Sequence, residues 1–125
     1  LFVATNFRLK GLRTLLDAMK LLPRARLVVV GPDKPVPADR VEYVARADDL
    51  PRLYREADVL VHPTWYDTAA LVVLEALASG TPVVTTVRDG NAALPLATVS
   101  RLTRSSPPTG QLPFGLTRRE LEVVR

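Results

Sequence analysis

Asp67-Thr68-Ala69-Ala70-Leu71-Val72-Val73-Leu74-Glu75-Ala76-Leu77-Ala78-Ser79-Gly80-Thr81-Pro82-Val83-Val84 is the stretch that decides the fold. Its reading is a helix over about Thr68 to Ser79, with Gly80 as C-terminal cap. A strand follows over residues 82–86. Upstream, Asp58-Val59-Leu60-Val61 is a short strand stopped by His62-Pro63. Strand, helix and strand in succession make the crossover unit of a parallel sheet.

Working outward from that unit, the same alternation continues. Leu1-Phe2-Val3-Ala4 reads as a buried strand, and residues 6–10 as a polar loop. Gly11 opens a helix whose apolar positions Leu12, Leu15, Leu16, Met19 and Leu22 fall on one face, and Pro23 stops it. Arg26 to Val30 is apolar throughout, as in a strand covered on both faces. Residues 32–39 hold three prolines and no periodicity, so they form a loop. Val41-Glu42-Tyr43-Val44 is a third strand. Asp48-Asp49 sits where a helix N-cap belongs, with Pro51 early in the helix and Leu50, Leu53, Tyr54 and Ala57 on its inner face. The expected fold is therefore α/β, a doubly wound, Rossmann-like parallel sheet with right-handed crossovers. Ligands of such sheets bind at the C-terminal strand ends. Here those ends are residues 5–10, 31–39, 45–49, 62–68 and 87–91.

Composition narrows the function classes. The chain has 125 residues, of which 47% are hydrophobic and 24% charged. Those values suit one soluble domain with a real core. No apolar run approaches a membrane span. The start at Leu1 without Met, basic leader or signal sequence reads as the interior of a longer protein. With no Cys and one His, disulfides, thiolate chemistry and structural zinc are not expected. A cytoplasmic setting fits. Net charge is +4, but residues 1–95 carry 12 Lys/Arg against 11 Asp/Glu. The excess lies in residues 96–125, so nucleic acid is not an expected partner of the domain.

The helix after Asp67 starts at a strand end, where its free N–H groups and positive dipole end suit a diphosphate. Small residues at 68–70 allow close approach. Glu75, set among Val72, Val73, Leu74, Ala76 and Leu77, is expected to need a partner, because an unpaired buried charge is costly. A ribose diol would serve, since a carboxylate can accept from two hydroxyls. A solvent-facing helix residue or a structural salt bridge is the plainer reading of Glu75. Likewise, Arg8 and Lys10 read either as an exposed basic loop or as a clamp for negative charge.

An acidic residue, seven intervening residues, Glu, an Ala-rich turn and Gly-x-Pro-Val-Val resembles the donor-site motif of retaining GT-B glycosyltransferases, family 4 in particular. The flanking segments agree in order: Phe7-Arg8-Leu9-Lys10-Gly11, Leu27-Val28-Val29-Val30-Gly31, Val41-Glu42-Tyr43-Val44, and Asp48-Asp49-Leu50 through His62-Pro63. Residues 6–11 and 62–75 look most like the lipopolysaccharide-core glucosyltransferase branch. The resemblance covers residues 1–91. It implies the C-terminal, nucleotide-sugar-binding half of a GT-B fold, with residues 92–125 as a divergent, irregular tail.

Carried over residue by residue, the resemblance implies that Glu75 holds the donor ribose and that Asp67, in place of the usual Glu, faces the transferred sugar. Ala70 and Leu71 offer backbone N–H groups to the diphosphate. Lys10 and Arg8 neutralise the leaving group. Val44 and Arg46 flank the nucleobase, with Ala45 in place of the usual Gly. His62 is left as a packing residue. Trp65 and Tyr66 either wall the sugar pocket or seal an interdomain face. The reaction implied is glycosyl transfer with retention and no metal or other cofactor. The donor is a nucleotide-diphosphate sugar and the acceptor a glycan or lipid, held by an N-terminal domain that this chain lacks. The chain alone is then expected to be inactive. Peripheral contact with the inner face of the cytoplasmic membrane belongs to the full-length protein.

The tail departs from the pattern. Residues 100–113 are rich in Pro, Ser and Thr and read as a linker. Leu116 to Val124 reads as a helix with a capping box from Thr117 to Glu120. Its sequence is similar to the first helix of a LuxR-type helix-turn-helix, which raises a rival architecture of receiver domain, linker and DNA-binding head. A receiver needs acidic residues at strand ends where Thr5-Asn6 and Val44-Ala45 stand instead. A third alternative is a non-catalytic nucleotide-binding or structural fragment.

Overall fold

The computed structural model describes residues 1–93. The linker and helix expected within 94–125 lie outside the described residues. In chain order the elements are β1 (Phe2–Val3), α1 (Leu12–Met19), β2 (Leu27–Val30), β3 (Val41–Val44), α2 (Leu50–Glu56), β4 (Leu60–His62), α3 (Leu71–Ala78) and β5 (Val83–Thr85), then a short 3-10 turn over Gly90–Ala93. All strand pairing is parallel. β2 is flanked by β1 and β3, with Val29 opposite Phe2 and Tyr43, and β4 pairs with β5, Leu60 opposite Val83. These two ladders are stitched at Leu1. Its carbonyl accepts from Val61 N–H at 2.9 Å and its nitrogen donates to the Val59 carbonyl at 2.9 Å. The strands thus run in the order β3, β2, β1, β4, β5, and the order reverses between β1 and β4.

Alternation of side chains along the strands explains why both faces are covered. Phe2, Leu27 and Val29 point to one side, where they pack with Phe7 and with Leu12, Leu15, Leu16 and Met19 of α1. Val3, Val30 and Leu60 point to the other, where they meet Tyr54 of α2 and Val73 and Ala76 of α3. A doubly wound sheet follows from one helix on the first face and two on the second, as the sequence pattern requires.

The link from β2 to β3 is the loop expected at residues 32–39, so strands and helices do not alternate there. Two details differ from the expectation. α1 ends at Met19 instead of running to Leu22. The Arg40 guanidinium takes the carbonyls of Met19 at 3.1 Å and Leu22 at 2.7 Å, and the chain tightens into successive three-residue turns. α3 begins at Leu71, three residues later than expected. Segment 67–70 instead lies beside residues 88–91, through Asp67 N–H to the Arg88 carbonyl at 3.1 Å and Gly90 N–H to the Asp67 carbonyl at 2.9 Å. α2 starts where its Asp49 cap predicts, with Asp49 Oδ1 accepting from Arg52 N–H at 3.0 Å.

Candidate active site

The C-terminal ends of β1 and β4 lead into loops 4–11 and 63–70, which close on each other at the point where strand order reverses. Such a switch point is where open α/β sheets bind ligands. Gly11 makes the approach possible. Its φ is +82°, in the left-handed region, and a Cβ there would run into the Pro63 carbonyl. Trp65 N–H donates to the Leu9 carbonyl at 3.0 Å, tying the loops a second time.

This closure puts Lys10 and Asp67, 57 residues apart, in an ion pair at 2.6 Å. Lys10 Nζ also donates to the Tyr66 carbonyl at 3.3 Å. The Asp67 side chain is 15% exposed, so the pair sits in a partly closed recess that a ligand can reach. On its other side Asp67 Oδ2 lies 3.3 Å from His62 Nε2, and Asp67 Oδ1 accepts from Ala69 N–H at 3.3 Å. Burial pushes the Asp67 carboxyl upward. The hydrogen bond and charge of Lys10, helped by His62 and the Ala69 N–H, outweigh it, and the acidity ends up lowered below the usual carboxylate value. Asp67 is therefore held as an anion.

His62 belongs to this cluster although the sequence reading set it aside as packing. It is 2% exposed, and burial lowers its pKa against the opposing pull of Asp67 and Asp89. A neutral ring beside a carboxylate places the proton on Nε2, which then donates to Asp67. His62 Nδ1 has no hydrogen-bond partner among the described residues.

Of the other expected site residues, Leu71 is the first residue of α3 and is exposed, and its N–H and that of Val72 have no intrahelical partners. Ala70 does not behave as expected. It is buried, and its N–H donates to Asp89 Oδ1 at 3.4 Å instead of facing the cleft. Glu75 is exposed, as in the plainer of its two readings. It lies little more than one turn into α3, on the exposed side, with Oε2 accepting from Tyr54 Oη at 2.7 Å. No hydrogen bond among the described residues reaches its Oε1. Burial, followed by Glu75, raises the Tyr54 phenol far above its ordinary range, so Tyr54 stays a donor and fixes the carboxylate's rotamer. Arg8 is exposed in the β1–α1 loop. Val44 and Arg46 stand at the end of β3, half-buried and exposed respectively, two strands from Lys10. The Val44 carbonyl is occupied by Gly31 N–H at 3.0 Å.

One groove lies away from Asp67. It runs between α1 and the β2–β3 loop, past Arg8, Arg13, Asp33 and Trp65. No group of three His, Asp or Glu side chains able to hold a metal occurs among the described residues. Sequence reasoning missed Asp89 and Tyr54. Asp89 carried only the turn signal of Asp89-Gly90-Asn91 after a strand, and Tyr54 was assigned to the inner face of its helix without the hydroxyl's role.

Comparison with known proteins agrees with this architecture. The sequence model of a family described as "Glycosyl transferases group 1" matches residues 1–101. The lipopolysaccharide glucosyltransferase WaaG of Escherichia coli is 33% identical over 105 residues, covering 72% of this chain and 28% of WaaG. The D-inositol 3-phosphate glycosyltransferase of Salinispora tropica is 50% identical over 48 residues, covering 37% of this chain and 10% of that protein. The crystal structure of WaaG superposes with a TM-score of 0.64 at 29% identity, over 71% of this chain and 29% of that one. A sucrose-phosphate synthase from Thermosynechococcus elongatus gives a TM-score of 0.64 at 32% identity, covering 72% and 28%. The chain thus spans under a third of the length of these larger relatives. Strand order, helix placement and the matched sequence together make this chain a member of the group 1 glycosyl transferases, with the α/β architecture of their GT-B fold.

Proposed function

We propose that residues 1–91 bind the nucleotide-diphosphate sugar donor of a retaining glycosyltransferase, and that transfer needs a partner domain that carries the acceptor site. The observation that carries this reading is the Lys10–Asp67 pair at 2.6 Å, set at the switch point beside the entrance of α3. In this reading Lys10, with Arg8, moves to the diphosphate, adding to the free N–H groups of Leu71 and Val72. Positive charge aimed at the leaving group stabilises the charge that develops as the glycosidic bond breaks. The anomeric carbon–oxygen bond breaks with its electron pair leaving on the nucleoside diphosphate. The acceptor oxygen bonds to the anomeric carbon from the same face, and its proton passes to the departing diphosphate. Asp67, released by Lys10, accepts from sugar hydroxyls or steadies the cationic sugar.

Glu75 holds the ribose through Oε1 while Tyr54 keeps Oε2 in place, and the residues around Val44 and Arg46 flank the base. Two basic side chains supply the positive charge, so the reaction in this reading requires no metal. The exposed apolar side chains Leu9, Trp65, Tyr66 and Leu71 on the loops around the site support a covering domain on that side. The name of the WaaG relative supports a lipopolysaccharide-type acceptor, and work at the cytoplasmic membrane face is part of the same proposal. No helix among the described residues is long and apolar enough to cross a membrane.

The test is a ligand-observed NMR titration with UDP, GDP, ADP and their sugar conjugates, beside Glu75→Ala. Selective binding of one nucleotide, weakened roughly ten- to a hundred-fold by the substitution, is the expected result. No binding by a folded chain would move the reading to a structural fragment. Sugar transfer by the chain alone would overturn its dependence on a second domain.

A further inference from the structure

Asp89 is a carboxylate 2% exposed, with no lysine or arginine in salt-bridge contact among the described residues. A buried charge is held only when surrounding dipoles satisfy it. Asp89 Oδ1 accepts from Ala70 N–H at 3.4 Å and from Asn91 N–H at 3.0 Å, and Oδ2 lies 3.0 Å from Thr85 Oγ1. Asn91 completes the contact from the other side, with Nδ2 donating to the Ala70 carbonyl at 2.8 Å. Both polar groups of residue 70 are therefore gripped from residues 89 and 91. Next to them, Gly90 lies so close to the Thr68 carbonyl that a Cβ would collide with it. Neither Asp67 nor Leu71 is gripped through its side chain by this latch. Each is placed by it, Asp67 three residues before Ala70 and Leu71 one residue after.

We propose that Asp89 is a positioning residue of the donor site, a proposal that rests on the donor-binding reading above. By holding Ala70 extended, it delays the start of α3 to Leu71. The unpartnered N–H groups of Leu71 and Val72 and the Asp67 carboxylate are thereby set at the same opening before a nucleoside diphosphate arrives. Its own negative charge works against that ligand, so its value lies in geometry. Asparagine reproduces the geometry. Oδ1 keeps both backbone donors and Nδ2 donates to Thr85 Oγ1. The Thr85 proton, which Asp89 shares with the His62 carbonyl at 2.9 Å, then goes to that carbonyl alone.

The experiment measures UDP, GDP and ADP binding to the full chain carrying Asp89→Ala, Asp89→Asn or Asn91→Ala, with amide exchange of residues 70–72 followed by NMR. Asp89→Ala should weaken binding at least about tenfold. It should speed exchange at Ala70 while leaving the Leu15 and Val29 methyl signals on the far face in place. Asp89→Asn should bind as tightly as the parent or more tightly, since the repulsion is gone. If Asp89→Ala does not fold, Asn91→Ala removes only the grip on the Ala70 carbonyl and should weaken binding by a smaller factor. Parent-like binding by Asp89→Ala, or by Asn91→Ala where Asp89→Ala does not fold, overturns the proposal, as does Asp89→Asn binding as poorly as Asp89→Ala. If the parent chain binds no diphosphate, the donor-binding reading falls. Amide exchange then decides the latch. Fast exchange at residues 70–72 in Asp89→Ala and slow exchange in Asp89→Asn sustain it, and equal exchange removes it.

Discussion

α1 and α3 have equal length, follow loops at the same edge of the sheet, and lack a side-chain cap, yet their entrances are built differently. α1 carries one apolar face, Leu12, Leu15, Leu16 and Met19, and starts at a glycine whose backbone forms the turn. α3, reading Leu71-Val72-Val73-Leu74-Glu75-Ala76-Leu77-Ala78, is apolar nearly all round. Its start is fixed by Asp89 and Asn91, about twenty residues downstream. One entrance is specified locally and the other by tertiary structure. Both border the candidate site, the first supplying Lys10 and the second Asp67.

The largest effect that sharpens this contrast is in the α1 face. Leu15→Ala removes a side chain 6% exposed and should cost about 3 kcal/mol, read from urea unfolding. Gly11→Ala adds a Cβ that meets the Pro63 carbonyl at a left-handed φ. It should cost about 2 kcal/mol and, unlike Leu15→Ala, should also separate Lys10 from Asp67. A Gly11→Ala chain that keeps the Lys10–Asp67 contact by NMR would break the link between the turn and the site.

A smaller effect comes from pH. His62 is the sole histidine of the chain, and its folded pKa is lowered. The unfolded chain therefore takes up a proton near pH 6.5 that the folded chain refuses. Stability should fall as pH drops from about 7 toward 5, and His62→Asn should flatten that slope. Asp67, also lowered, adds a further loss below its unfolded value near pH 4, as acid reaches the folded carboxylate. A flat stability profile between pH 7 and 5 in the parent chain would show that His62 is not buried neutral. Smallest is Asp49→Ala, which removes the α2 cap and should cost about 1 kcal/mol by thermal unfolding.

What the sequence made legible follows the same division. β2 could be read from Leu27-Val28-Val29-Val30, because a strand buried on both faces needs apolar residues at every position. The Asp49 cap and the α1 face were equally local. The start of α3 was not, since a run of small and apolar residues propagates a helix well but does not mark where it begins. Lys10 and Asp67 could be named from the family resemblance, while their 2.6 Å contact needed the loops to meet. Ala70 was assigned a ligand role because nothing in residues 67–71 signals Asp89. Glu75 could be read either as a carboxylate among apolar neighbours or as a solvent-facing residue, and only the packing decides: Val72, Val73, Ala76 and Leu77 turn to the core while Glu75 turns outward to Tyr54 Oη.

The stitch at Leu1 has a kinetic consequence. The bonds from Leu1 to Val59 and Val61 close a loop of nearly sixty residues, whereas each of the two ladders forms over much shorter separations. Contacts of high sequence separation carry the larger closure entropy and tend to form late in folding. Each ladder can assemble before the other is docked, but Lys10 meets Asp67 only after β1 has been laid beside β4. The ion pair is therefore a clock for the last step of folding, and a probe placed on it would report completion of the sheet as distinct from formation of its parts.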